Sequence, residues 1–229
     1  FEDSMKGQFA FGAKATDFGV EAVSSTFGAP KVDKGKEGMM DKMSELPASD
    51  IAGAVALPKD LSDSLGMAAA TGMMGGAMAG NEDPSGEMKE VLDALSGASG
   101  TFSVSDIPTG MDDVDPQAKV ELETTSPENA ETLKGMVSQT GGGFDVSTDG
   151  ATITGQTPGF AGDGKVSDNK YYSDAVGGAP DAINYAVFAD VTKLMDENDK
   201  KDFGALKAVG FTTGTKDGES VGNYRLVIE

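Results

Sequence analysis

An α+β fold is what this sequence predicts: antiparallel and mixed sheets, helices packed mainly on one face, and two related halves. Three observations predict it. Short β-type runs are joined by turn residues, amphipathic helical segments lie between them, and the order of elements occurs twice.

Residues 8–16 and 20–27 are β-type runs around Asp17-Phe18-Gly19, a hairpin that Ala29-Pro30 ends. Residues 31–45 are rich in Lys and Glu and carry Met39, Met40 and Met43, which predicts a short exposed helix flanked by loop. Leu46-Pro47 leads into a strand of small apolar residues at 51–57. Leu61 and Leu65 predict a helix over 59–67, and a Met, Ala and Gly tract follows at 67–80. A clearer helix opens at Ser85, because Met88, Val91, Leu92 and Leu95 recur at helical spacing and Gly97 stops it. Strands at 101–107 and 119–125 flank an acidic loop. Ser126-Pro127-Glu128-Asn129 is a helix start with Ser at the N-cap and Pro at the first helical position; the Gly141-Gly142-Gly143 run ends that helix.

A second hairpin surrounds Thr148-Asp149-Gly150. A Gly-rich loop at 158–164 leads to a helix near 167–176, then a strand at 183–189 and a helix starting at 191–195. A helical stretch is expected at 203–209, and a last hairpin around Asp217-Gly218 joins strands at 211–216 and 224–228.

The repeat shows best where Pro47 and Ile51-Ala52-Gly53-Ala54-Val55 match Pro180 and Ile183-Asn184-Tyr185-Ala186-Val187. Ala94-Leu95 matches Ala205-Leu206, and the 119–123 run matches 224–228. The expected division is a first α+β unit at 1–124, a connecting helix at 125–142 and a second α+β unit at 143–229. The second unit has a strand and a helix ahead of its first hairpin. A matching strand, an acidic helix and a membrane span are therefore expected upstream of Phe1.

Composition excludes whole classes of chemistry. There are 38 acidic and 18 basic residues, a net charge of −20, and Arg225 is the one arginine. Nucleic acid and anionic lipid surfaces require a cationic footprint that this chain does not offer. Without His or Cys there is no thiol nucleophile, no His-dependent triad and no zinc site of the usual kind. The lack of Cys leaves the redox compartment open.

The sequence offers three kinds of candidate site. The Met39, Met40 and Met43 cluster and the Met67, Met73, Met74 and Met78 cluster suit a soft cation but read better as gap-filling packing. Calcium would be the natural cation for the acidic loops Asn81-Glu82-Asp83, Asp112-Asp113-Val114-Asp115 and Asp196-Glu197-Asn198-Asp199. None matches an EF-hand, since Leu92 falls where the loop starting at Asn81 needs Glu. Solvated turns and helix starts explain these loops. The 141–143 glycines follow a helix, so they read as a stop signal and not a phosphate cradle. No catalytic, cofactor-binding or metal residue is assigned, and no enzymatic activity is expected.

Residues 179–191, the 119–123 strand before the helix at 128–133, and Leu206-Lys207-Ala208-Val209-Gly210-Phe211 with the closing Tyr224-Arg225-Leu226-Val227-Ile228 carry a family likeness. In these stretches the chain resembles a group of membrane-anchored, mostly actinobacterial proteins with a domain of unknown function. The resemblance implies an N-terminal anchor outside this sequence and an extracytoplasmic location in the cell envelope. It implies no activity. The expected role is an envelope interaction or scaffolding module; the alternative is a carrier of an apolar ligand or lipid between the halves, with residues 67–78 as a soft wall.

Overall fold

The computed structural model describes residues 8–27, 35–61, 86–109, 115–139, 143–160, 162–196 and 198–229. Its strands are β1 (Gln8–Thr16), β2 (Gly19–Phe27), β3 (Lys36–Glu37), β4 (Ile51–Ala56), β5 (Ser99–Ser105), β6 (Gln117–Glu123), β7 (Asp145–Asp149), β8 (Thr152–Gln156), β9 (Ala182–Asp190), β10 (Leu206–Lys216) and β11 (Glu219–Ile228). They form one mostly antiparallel sheet in the order β1-β2-β11-β10-β9-β4-β5-β6-β8-β7, with β3 paired to β9. The helices are α1 (Met39–Ser44), α2 (Gly86–Leu95), α3 (Pro127–Gln139), α4 (Tyr172–Val176), α5 (Val191–Leu194) and α6 (Asp199–Phe203). The fold class is therefore α+β. Of the helix expected at 59–67, only residues up to Leu61 are described, and the Met-rich tract at 67–80 lies outside the described residues.

The chain divides into two compact units. The larger holds residues 1–56, 100–120 and 156–229. Its central strand β10 alternates strictly, because successive side chains of a strand point to opposite faces. In β10, Ala208, Gly210, Thr212 and Gly214 are buried, while Val209, Phe211, Thr213 and Thr215 between them are only half-buried. The buried face meets α1, α4 and a 3-10 turn at Val166–Asp168. There Phe188, Met39, Met43, Ile183 and Val166 are fully enclosed, and the Tyr172 ring meets Phe188 edge-on at 5.3 Å. Each large apolar side chain so enclosed contributes about 1.5–3 kcal/mol. The last hairpin turns at Asp217 and Gly218 with φ of 54° and 84°, the paired positive values that suit a two-residue turn between right-twisted strands.

Two expectations need correction. The helix around Met39 is not an exposed one: Met39 and Met43, one turn apart, are both fully buried and form the apolar stripe of α1. The Lys and Glu richness of 31–45 hid that stripe. The helical stretch expected at 203–209 ends at Phe203, and β10 has begun by Leu206. This strand lies between β9 and β11 and pairs with both, so two ladders of backbone hydrogen bonds outweigh the local preference of Ala205-Leu206-Lys207-Ala208.

The smaller unit holds residues 57–99 and 121–155. Helices α2 and α3 pack together over a cluster of Ala94, Ala130, Leu133 and Ile153, supported by Val91, Leu95, Leu122 and Val146. Helix α3 starts as its sequence predicts, with Ser126 Oγ accepting the Asn129 N–H at 3.2 Å. Gly97, at φ 73°, ends the stretch after α2.

How closely α4 approaches the sheet is set by Gly210. A Cβ there would lie 1.8 Å from the Ala175 carbonyl oxygen. Gly210→Ala should cost about 3 kcal/mol in denaturant unfolding, because backbone must move to admit one methyl. Gly135→Ala, on α3 with no atom within 4 Å of the new Cβ, should instead stabilise by about 0.5–1 kcal/mol.

Candidate functional site

Among the described residues the helices of the larger unit cover one face of its strands and no helix covers the other, and the register shows what occupies that uncovered face. Across β1, β2, β11, β10, β9 and β4 one rank runs Ala13, Ala22, Tyr224, Phe211, Val187, Gly53. Its neighbours run Phe11, Ser24, Gly222, Thr213, Tyr185, Val55 and Ala15, Val20, Leu226, Val209, Ala189, Ile51. These three ranks contain no charged side chain, in a chain of which 24% is charged. The face is accessible: Phe11 is 63% exposed, Tyr185 45% and Tyr224 44%. Phe211 and Tyr224 rings lie 4.7 Å apart across the ladder. The lack of a Cβ at Gly53 admits the Phe102 ring, which extends the surface onto β5.

On the opposite face the interleaved rank begins Lys14, Glu21, Arg225, Gly210, Phe188, Ala52. Arg225 donates from Nε and Nη2 to Glu21 Oε1 at 3.0 and 2.5 Å, and Lys14 Nζ lies 2.8 Å from Glu21 Oε2. Arg225 Nη1 also donates to the Asp174 carbonyl at 3.0 Å, and its guanidinium lies 4.7 Å from the Phe18 ring centre. Asn223 Nδ2 donates to the Gly177 carbonyl beside it. The single arginine thus ties the β1–β2 hairpin, β11 and α4 together, with each of its three nitrogens donating within the fold. Hydrogen bonding from Lys14 and then from Arg225 holds the Glu21 carboxyl below its ordinary value of 4.5, against the opposing effect of burial.

The remaining sequence candidates fall elsewhere. Met39 and Met43 are core, and Met40 lines an open depression of about 430 Å³ with Glu37, Asp41, Val176, Pro180 and Asp181. Met67, Met73, Met74 and Met78, the Asn81 loop, the Asp112 loop up to Val114, the glycines 141–142 and Glu197 lie outside the described residues. Asp196 Oδ1 accepts the N–H groups of Asn198 and Asp199 at 2.7 and 2.8 Å, as a helix-start residue does. Among the described residues no three acidic side chains gather as a metal site would require. Buried Asp190 caps α5 through Thr192 and accepts from Asn169 Nδ2. Buried Asp50 accepts the Ile107 N–H and pairs with Lys193. Both carboxylates fasten strand ends.

The uncovered face escaped the sequence reading, although its signal was present. In β1 Phe9, Phe11 and Ala13 alternate with Ala10 and Gly12, and in β9 Tyr185 and Val187 alternate with Ala186 and Phe188, so the centre of neither strand presents a polar face. No family model, curated protein or solved structure matches this chain.

Two titrating groups give tests. Arg225→Ala leaves Glu21 with Lys14 alone and should cost about 3 kcal/mol. Because the Glu21 pKa is lowered, its contribution is present above pH 4.5 and is lost as the pH falls through the lowered value. Glu21→Gln should therefore shrink the acid-induced loss of stability seen by urea titration at successive pH values. Tyr172 behaves oppositely: burial, helped by the Asp41 charge, pushes its phenol up to about 12, and its hydroxyl has no hydrogen-bond partner among the described residues. Its stabilising contribution is complete below pH 10 and is lost as the pH rises through about 12. Tyr172→Phe should be neutral or stabilising at pH 7 and should remove one late step from the alkaline absorbance titration.

Proposed function

We propose that this chain is a non-enzymatic interaction module of the extracytoplasmic cell envelope that works through the uncovered face of its larger unit. The observation that carries the reading is the three uncharged ranks, exposed in a chain with a net charge of −20. Folding alone favours polar residues on a solvated face, so aromatic residues kept there speak for a contact made after folding. The envelope location and an anchor outside this sequence follow from the family resemblance in residues 119–133, 179–191 and 206–228.

A finer reading, internal duplication, belongs with this proposal. Outward from β9 the order is β10, β11, β2, β1; outward from β4 it is β5, β6, β8, β7. Each strand of 143–229 then has a counterpart in 1–124, and each hairpin lies beside the last strand of the other half. Ala54 stands opposite Ala186, the pair that the sequence match aligns. The lipid-carrier alternative draws no support from the 430 Å³ depression, where Glu37, Asp41 and Asp181 would oppose an acyl chain.

A photo-cross-linking residue placed at Tyr224 in cells should give a discrete protein adduct, and one at the exposed Asp163 should give none. Cross-linking to lipid alone, or turnover in a broad hydrolase panel, would overturn the reading.

A further inference from the structure

We propose that the chain pairs with a second copy of itself, β1 against β1 in antiparallel register, about a two-fold axis through Gly12. This names the partner of the interaction module and rests on that reading for the role of the uncovered face. The edge itself is the starting point. β1 ends the strand order, and among the described residues no strand pairs with its outer side. It is nine residues long and exposed at every position but Thr16. Natural sheets blunt such edges with charge, proline, bulges or shortness. The other terminal strand, β7, is blunted: it has five residues and an aspartate at each end. β1 has one charge, Lys14, which is already paired with Glu21.

The hairpin geometry determines which groups the edge offers. The two-residue turn makes Thr16 and Gly19 a hydrogen-bonded pair, so even-numbered residues of β1 bond to β2. Odd-numbered Phe9, Phe11, Ala13 and Ala15 then direct N–H and C=O outward. In a pairing centred on Gly12, Phe11 meets Ala13 and Phe9 meets Ala15 of the second copy, so each large ring on the uncovered face lies beside a methyl. Lys14 meets Ala10, which avoids like charges, and Gly12 meets Gly12 in a non-hydrogen-bonded pair with Cα atoms about 4.5 Å apart. Glycine inside a strand weakens it, and it recurs where another backbone approaches closely. No atom lies within 4 Å of the position that a Gly12 Cβ would take. Charge favours this edge for self-association: residues 8–27 carry only Lys14, Asp17 and Glu21, against −20 for the whole chain. A strand from another protein would need none of these self-complementary matches. The pairing joins two uncovered faces into one continuous surface.

Analytical ultracentrifugation should show a monomer–dimer equilibrium that tightens as salt screens the net charge. Ala13→Pro removes one outward N–H at an edge where proline is tolerated, so the monomer folds and dimerisation should weaken at least tenfold. The chain has no cysteine, so Gly12→Cys should form one disulfide-linked dimer under mild oxidation. Ala10→Cys, whose counterpart lies four residues of strand away, should not. A chain that sediments as a monomer at its highest soluble concentration, a dimer indifferent to Ala13→Pro, or equal cross-linking at positions 10 and 12 would each overturn the pairing. A monomer that still gives the Tyr224 protein adduct overturns the pairing alone and leaves the interaction module standing.

Discussion

Among the described residues of the larger unit helix is scarce, and that constraint governs how the sheet is packed. α1 and α4 have six and five residues, enough to cover one face of the strands they touch. A sheet covered on one side turns its apolar residues inward, and β9 does so with Ile183, Ala186 and Phe188, the register slipping by one residue between Ile183 and Tyr185. The covering layer is then drawn close. Gly210 lets the Ala175 carbonyl rest against the ladder, and Gly177 leaves room for the Arg225 guanidinium. Replacing either glycine by a larger residue would push α4 away from the ring of Phe188.

Charge is arranged around the same division. The one arginine and the buried glutamate lie on the helix-covered face, where Lys14, Glu21 and Arg225 occupy one rank of three neighbouring strands. Taking these groups from water is costly, and the cost is offset by three charge-assisted contacts to Glu21 and by the Asp174 carbonyl. The result is a fastening between the hairpin and α4 that no hydrophobic pair at an exposed edge could supply. The three ranks on the opposite face carry no charge, and among the described residues no helix covers them. This inverts the usual distribution, and the inversion is the physical basis for reading that face as a contact surface.

Much of this was legible in the residues and some was not. The hairpins at Asp17-Phe18, Asp149-Gly150 and Asp217-Gly218 follow from turn chemistry, and the Ser126 cap follows from its pattern. These are local signals. Met39 and Met43 were misread because their burial depends on a sheet 140 residues away in sequence, contributed by Ile183 and Phe188. The strand at 206–209 was misread because its pairing partners outweigh its helix-forming residues. The uncovered face is less legible still. It emerges only when the registers of six strands are laid side by side, and no single strand shows it: Val187, Phe211 and Tyr224 lie on three separate strands but are adjacent in one rank.

The two terminal strands extend this reasoning. Under the duplication proposed above, β1 and β7 would be counterparts, each the outer strand of a hairpin laid beside the other half's last strand. Equivalent strands under equal demands should keep equal defences against unwanted pairing. They do not: β7 is short and carries Asp145 and Asp149, whereas β1 keeps nine residues, two exposed phenylalanines and a glycine at its centre. An aggregation-prone edge is expected to acquire charge cheaply, since Ala10, Gly12 and Ala13 are exposed and their replacement by lysine would disturb no packing. The pairing proposed above accounts for small, neutral residues at these positions in so acidic a chain, because a partner strand needs room to approach there.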